Sequence, residues 1–487
     1  MAYKLLIVAF LLISQVLCAG SHPGQAVSAN DDEFLDLIER QTFNYFIECT
    51  HPETGLVLDR ANNFKNPDFK EWPASIAGVG FGLSCLAVGA ERGWISKADA
   101  EKRVLVTLEF FWGKMAHKHG FFSHFIDART GERVWDCEFS SIDTALFLAG
   151  ALHAAEYFHN PRIRILANRL YYRVNWKWMM NGRNLMSMGW KPESGFIEHY
   201  WEHYNESMIM YILAMGSPTF PISPEAWKAM KRPISRYEDY EAILCPPLFT
   251  HQYSHIWIDF RNKSDGYADY FQNSVQATLA NRAFCINSAS VFKTFSADCW
   301  GLTACLGPDG YMAYGGTPGN SFCDGTVAPT AAASSIVFTP EHSIKFMRNM
   351  YSRYQKEMWG RYGFSDAFNI DRNYFCQDAF AINQGPILLM IENYRTNGIW
   401  NAFMKIPAIQ NGMDRAGFGK QPYVVLNKDL LTSVPSRAYF LDKKPVTVAP
   451  GIPETILFEH IGFDDRIWEN GNKPVILAEE HYQFGDR

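Results

Sequence analysis

The sequence predicts an all-α protein: an (α/α)6 toroid of six inner and six outer helices, with a short β-rich C-terminal tail. Three observations carry this expectation. Six apolar helical segments begin near Ala74, Ile142, Glu206, Ser274, Thr330 and Pro386, with starts 68, 64, 68, 56 and 56 residues apart. Each is apolar nearly all round, as in I-A-G-V-G-F-G-L-S-C-L-A-V-G-A from Ile76, and such a helix is enclosed by other protein. Between them lie helices of mixed character, suited to half-burial. No sequence repeat accompanies the spacing.

In chain order, residues 1–20 carry Lys4, the run L-L-I-V-A-F-L-L-I, and then Cys18-Ala19-Gly20. A charged start, an apolar run too short for a bilayer and small residues after it read as an export signal. Cleavage is expected near Ala19, or as late as Ala29. The mature protein is then secreted or periplasmic, with no further membrane span. Residues 30–418 make the helical domain. Its outer helices are expected at Asp36 to Phe46, after Ser96-Lys97-Ala98-Asp99, at Arg162 to Trp178, at Pro224 to Met230 and after Thr339-Pro340-Glu341, where caps and an early proline or acid mark the starts. The fourth, after Cys285, has no clear position. Residues 419–487 read as short strands, P-Y-V-V-L, R-A-Y-F-L and P-V-T-V, packed on the helices.

The chain has 487 residues and a net charge of −6, with no long basic run. Nucleic acid and acidic membrane surfaces are therefore not expected partners. Aromatic residues make up 15%, which suits a core and also a sugar-binding cleft. Ten cysteines are scattered, nine without Cys18. They form no disulfide framework, although Cys299–Cys305 or Cys305–Cys323 pairs are conceivable, and Cys85 reads as a small core residue.

Each inner helix follows a polar, aromatic loop: E-W-P-A-S, W-D-C-E-F-S-S-I-D, W-E-H-Y-N-E, F-T-H-Q-Y-S-H-I-W-I-D-F-R, D-G-T-V-A-P-T and Q-D-A-F-A-I-N-Q-G-P. Parallel inner helices would bring all six loops, and six positive helix ends, to one crater. Carboxyls cluster in these loops: Asp136, Glu138, Asp143, Glu206, Asp259, Asp324, Asp366 and Asp378. Cleaving a glycosidic bond takes two of them on opposite sides of it.

Glu206 stands where an aromatic loop becomes a buried helix. Desolvation there raises its pKa toward that of a general acid, although an ordinary first-turn glutamate would fit the same place. Asp143, one residue into its helix, equally suits a loop-holding role. His251, His255 and Asp259 are spaced four apart, but H-I-W-I-D-F alternates like a strand, so hydrogen bonding is favoured over a metal. G-V-G-F-G-L from Gly78 follows no strand and reads as packing. No nucleophile elbow, phosphate loop or dinucleotide fingerprint is present.

Long motifs resemble a known family. They include H-P-E-T-G-L-V-L-D-R, S-I-A-G-V-G-F-G-L, G-F-F-S-H-F, S-S-I-D-T-A-L, Y-N-E-S-M, T-H-Q-Y-S-H-I-W-I-D-F-R, W-G-R-Y-G-F-S-D-A-F-N and N-Q-G-P-I-L-L-M-I-E-N-Y-R. From about Phe34 to Gly417 the chain is similar to the glucoamylase-like domain family, which includes endo-β-1,2-glucanases of glycoside hydrolase family 144. The resemblance implies an exported, endo-acting, inverting β-1,2-glucan hydrolase that needs no metal or cofactor; a monomer is expected. It implies Glu206, the glutamate of Y-N-E, as the general acid. The family pattern has aspartate before Q-G-P; here Asn383 stands there, and an amide cannot take a proton from water. Asp378, Glu138 or Asp143 is then the candidate base. Trp72, Trp190, Trp201 and Tyr204 are expected to stack on the glucan, with His251, Tyr253, His255, Arg361, Asn383 and Gln384 binding it. Competing readings are a non-catalytic glucan-binding protein, a transglycosylase, or a hydrolase of another β-glucan.

Overall fold

The structure is a computed structural model. It describes residues 30–316 and 321–419, together with the backbone of 438–439, 466–469 and 473–476. The expected export signal, and most of the expected tail strands, lie outside the described residues.

The described chain is mostly helical. Five long helices have the exposed face expected of an outer layer: α1 (Asp31–Glu48), α3 (Lys97–Gly113), α5 (Pro161–Arg173), α10 (Tyr270–Asn287) and α12 (Pro340–Met358). The short α6 (Trp176–Met179), α8 (Glu225–Ala229), α14 (Gly398–Phe403) and α15 (Pro407–Ala416) complete that layer. The buried set is α2 (Ile76–Glu91), α4 (Ser141–Phe158), α7 (Met208–Gly216), α9 (Tyr253–Trp257), α11 (Pro329–Ala333) and α13 (Ala381–Thr396). Local rules set several starts. Ser96 accepts from the Asp99 amide, and Asn160 caps α5 ahead of Pro161.

The buried helices pack in sequence. α2 lies on α4, α4 on α7, and α7 on α9. Gln252, just before α9, donates to the Ala331 carbonyl of α11 and to Ser335 Oγ. α11 packs on α13, and α13 returns to α2. The glycines of α2 serve this packing, as their sequence suggests. A Cβ on Gly80 would fall 2.3 Å from the Leu146 carbonyl oxygen, and one on Gly78 would fall 2.7 Å from Ala381 Cβ.

Three expectations need correction. The fourth buried element is the stretch Leu248–Trp257, a 3-10 turn running into α9, and not a helix starting near Ser274. It is short and rich in His, Gln and Ser, so it lacks the apolar signature of its neighbours. Most of its polar side-chain atoms are hydrogen-bonded inside the protein instead, although Gln252 Oε1 and His255 Nδ1 are not. The helix containing Ser274, α10, is the missing outer helix. Second, α13 begins at Ala381, five residues before Pro386. Proline has no N–H, so the Ile382 carbonyl four residues back lacks a helical donor; the Tyr253 hydroxyl supplies one at 2.9 Å. Third, the loops before α4 and α7 join in a five-stranded antiparallel sheet of His117–Lys118, Phe121–Ser123, Phe139–Ser140, Gly189–Lys191 and Gly195–Phe196. Periodicity cannot detect strands of two or three residues.

All nine cysteines from Cys49 to Cys376 are free and buried, so neither conceived disulfide forms. In the tail, Ala438–Tyr439 pairs parallel with Ser321–Phe322, and Arg466–Glu469 pairs with Lys473–Ile476. Among the described residues, no helix is long and apolar enough to cross a membrane.

A charge cluster ties α1, α2 and α13 together. Arg92 holds Glu392 at 2.7 Å, and Arg395 reaches Asp32, Asp36 and the fully buried Glu39. Burial, then Glu392, pushes the Glu39 carboxyl up to about 8 against the pull of Arg395. The folded protein therefore binds a proton that the unfolded chain releases above the ordinary glutamate pKa. Stability from this group is complete below about 4.5 and declines as pH rises toward 8. Glu39→Gln is expected to flatten stability against pH across that window, as checked by urea unfolding at several pH values.

Candidate active site

Helix N-termini and the loops before them assemble the site. Glu206 occupies the turn before α7. Ser254 replaces a local cap there: its hydroxyl donates to the Glu206 carbonyl at 2.7 Å and accepts from the Ile209 amide at 3.0 Å. The Glu206 side chain is 4% exposed, and its Oε2 has no hydrogen-bond partner. Burial, with a smaller push from Asp143, raises its pKa well above the ordinary value. Desolvation therefore favours the neutral carboxyl over the charged one.

Asp143 is the third residue of α4. Ser140 caps that helix, accepting from the Asp143 amide at 3.2 Å and donating to its carboxylate at 2.5 Å. This two-way contact between the Ser140 hydroxyl and Asp143 fixes the carboxylate beside the helix end. His124 lies between two acids. Its Nδ1 is 3.0 Å from Glu138 Oε1, and its Nε2 is 3.6 Å from Asp143 Oδ1. Burial alone would lower the imidazole pKa, but Asp143 and then Glu138 lift it to about 10. Burial pushes the Glu138 carboxyl up, yet His124 outweighs this and holds it below the usual range. Asp143 is raised by burial, against the pull of His124 and Ser140. Donor atoms of these three residues all lie within 4.8 Å of one another, close enough to ring a cation. A ligating imidazole must offer a bare nitrogen. Here Nδ1 lies within hydrogen-bond distance of Glu138, which calls for an N–H on it, and Nε2 lies within ion-pair range of Asp143.

A second acidic group sits at the start of α13. Asp366 is 2% exposed and accepts from the Leu306 amide and from Asn383 Nδ2, both at 2.6 Å. Burial raises it to about 7. Asn383 therefore does not act as a damaged base; its amide is a donor that positions Asp366. The Asn383 backbone carbonyl accepts from the Thr330 hydroxyl of α11 at 3.0 Å. Asp378 faces Arg60 at 3.8 Å, and the Arg60 guanidinium lies 3.2 Å from the centroid of the half-buried Trp72 ring. Tyr253 sits among these groups. Burial, then Glu206, Asp366, Asp143 and Asp59, keeps its phenol protonated far above the ordinary value.

The loops before α2, α4, α7, α9, α11 and α13 are thus linked by hydrogen bonds, strand pairs or carboxyl fields. Other expectations fail for clear reasons. Trp201 is buried, with its Nε1 on Ser141 Oγ at 2.8 Å, so its ring cannot stack on a sugar. Tyr204 is buried behind it, 3.0 Å from His251 Nδ1. His251 binds the Cys245 carbonyl, and burial lowers it to about 4. His255 binds Ser274 among Phe260, Phe271 and Phe338, and burial lowers it to about 3. Both are neutral core histidines. Arg361 is bound to Glu48 at the end of α1, and Gln384 donates from burial to the Phe364 carbonyl. Trp190 remains half-buried at the sheet, beside Phe139 and Trp178. Of the other loop acids, Asp136 is exposed in a turn and Asp259 is held by Arg261. Asp59 and His124 also belong to the site, and the loop carboxyl pattern does not single them out. Both stand in family-like motifs, H-P-E-T-G-L-V-L-D-R and G-F-F-S-H-F, which is the available signal.

A mostly helical chain with carboxyls gathered at its buried helix starts defines the class, and this chain belongs to the glucoamylase-like family. The Glycoamylase family model matches residues 198–407. An endo-β-1,2-glucanase from Chitinophaga pinensis, solved with sophorotriose and glucose, is 31% identical with a TM-score of 0.74, over 80% of this chain and 99% of that one. A β-1,2-glucanase structure from Parabacteroides distasonis is 30% identical with a TM-score of 0.74, over 80% of this chain and 60% of that one. A curated Parabacteroides distasonis relative, an exo β-1,2-glucooligosaccharide sophorohydrolase acting at the non-reducing end, is 31% identical over 440 residues. The match takes in 81% of this chain and 60% of that relative's length.

Proposed function

We propose that the protein is an exported glycoside hydrolase that cleaves β-1,2-glucan with inversion, on a closed (α/α)6 toroid. The observation that carries this reading is Glu206: a buried carboxyl with an unpartnered oxygen, pushed toward its neutral form by burial and, more weakly, by Asp143. Glu206 donates its proton to the glycosidic oxygen as the bond to the anomeric carbon breaks. A water on the opposite face attacks that carbon, and Asp143 takes the water's proton. Ser140 and His124 engage both Asp143 oxygens, but each oxygen keeps a second lone pair. Glu138 is committed to His124, and Asp378 to Arg60, so neither is favoured as the base. Trp72 and Trp190, the two half-buried tryptophans of the expected set, serve as stacking surfaces. A working separation of about 6.5–9.5 Å between acid and base suits inversion, whereas about 5–5.5 Å suits retention.

Endo action follows the Chitinophaga enzyme; exo release of sophorose follows the curated relative. Incubation with β-1,2-glucan and product sizing separates them. A ladder of oligosaccharides supports endo cleavage, and sophorose alone from the start supports exo cleavage. Tight binding in calorimetry with no new reducing ends would overturn the hydrolase reading in favour of a binding protein. Products from other β-glucans only would overturn the linkage.

A further inference from the structure

We propose that His124 is a positioning residue: a lasting imidazolium clamped between Glu138 and Asp143, which keeps Asp143 ionised and aimed for its part opposite Glu206. The catalytic part of this proposal rests on the hydrolase reading; the clamp itself rests on geometry.

The ring is fixed on every side. Its backbone amide donates to the Glu138 carbonyl at 2.9 Å, and its carbonyl accepts from the Ile76 amide at the start of α2 at 3.2 Å. The Phe125 ring stacks on it at 3.9 Å between centroids. The carboxylates of Glu138 and Asp143 then meet opposite ring nitrogens, at 3.0 and 3.6 Å. A neutral imidazole carries one N–H and would turn a lone pair toward one of the two carboxylates. Only the cation suits both. Glu138 is wedged from behind: a Cβ on Gly189 would fall 2.5 Å from Glu138 Cγ, so only glycine leaves room for it.

The groups that act on this ring are Glu138, Asp143 and Asp59. Beyond them, Lys191 acts on Glu138, Arg60 on Asp59, and Asp143 on Glu206. Without the imidazolium, buried carboxyls would crowd together with no cation between Glu138 and Asp143. One would then take up a proton. Asp143 is the exposed party to that change, because its pKa is already raised.

The test has two arms. In the intact wild-type protein, nitrogen-detected NMR of the histidine side chains, assigned with His124→Gln, reads the ring directly. Both His124 nitrogens are expected to stay protonated well beyond neutral pH. A ring that titrates near the ordinary histidine value overturns the clamp, whatever the substrate. So does one equivalent of bound zinc that is lost in His124→Gln, because a ligating nitrogen cannot carry the proton. In the second arm, His124→Ala is assayed on β-1,2-glucan. kcat is expected to fall about 10²-fold with KM little changed. The acid limb of the kcat profile should move to higher pH, and added imidazole should restore part of the rate. Gly189→Ala, which pushes on Glu138 from the other side, should shift the same limb. An unshifted limb in both variants overturns the positioning role. A charged ring in a protein that releases no sugar from any glucan leaves the clamp standing and removes the hydrolase reading.

Discussion

Glu206→Gln is expected to lower kcat on β-1,2-glucan by about 10²–10⁴-fold, the range general acid catalysis supplies. Binding should change little, because burial favours the neutral carboxyl and the amide has nearly the same shape. The effect is large because nothing else on α7 can give a proton: Asn205 caps the turn through the Ser207 amide, and Met208 to Gly216 are apolar or buried. Single-turnover rates and calorimetry on the same preparation check both halves. Unchanged turnover would remove Glu206 from the chemistry. Equal losses of binding and turnover would mean that the residue holds the glucan and does not protonate it.

Gly150→Ala is expected to give a large loss of stability. Its Cβ would fall 1.9 Å from the Gly80 carbonyl oxygen, where α2 and α4 meet backbone to backbone. No rotamer relieves a clash of Cβ with main chain, so the two helices must part. Overpacking of cores costs about 1–3 kcal/mol, and a clash with backbone belongs at or beyond the top of that range. Gly113→Ala, at the end of α3 with nothing within 4 Å of the added carbon, is the control. It should be neutral, or gain up to about 1 kcal/mol from helix propensity. Denaturant midpoints of the two variants settle the comparison. Equal midpoints would mean that α2 and α4 are not packed as described.

The order of half-buried and buried helices was readable from composition because an apolar stripe, or an apolar whole, is a one-dimensional pattern. Ser96 and Pro340 marked helix starts for the same reason: a cap acts on its own chain neighbours. The element Leu248–Trp257 was hidden because its burial is balanced by hydrogen bonds to Ala331, Ser335, Asn273 and Ser274, all distant in sequence. Tertiary contacts of that kind leave no period.

Glu206 and Asp143 could be picked out as acids at the mouths of apolar helices. The sequence by itself determined which loops carry the carboxyls, since a loop before each buried helix needs polar residues wherever it lies. Only the tertiary structure decided what each carboxyl can do. Proton affinity depends on the nearest few ångströms, and those are supplied by His124 for Asp143 and Glu138, by Asn383 for Asp366, and by Arg60 for Asp378. The same holds for the aromatics. Trp72, Trp190, Trp201 and Tyr204 look alike as letters, but only burial separates the rings a sugar can reach from those sealed in the core.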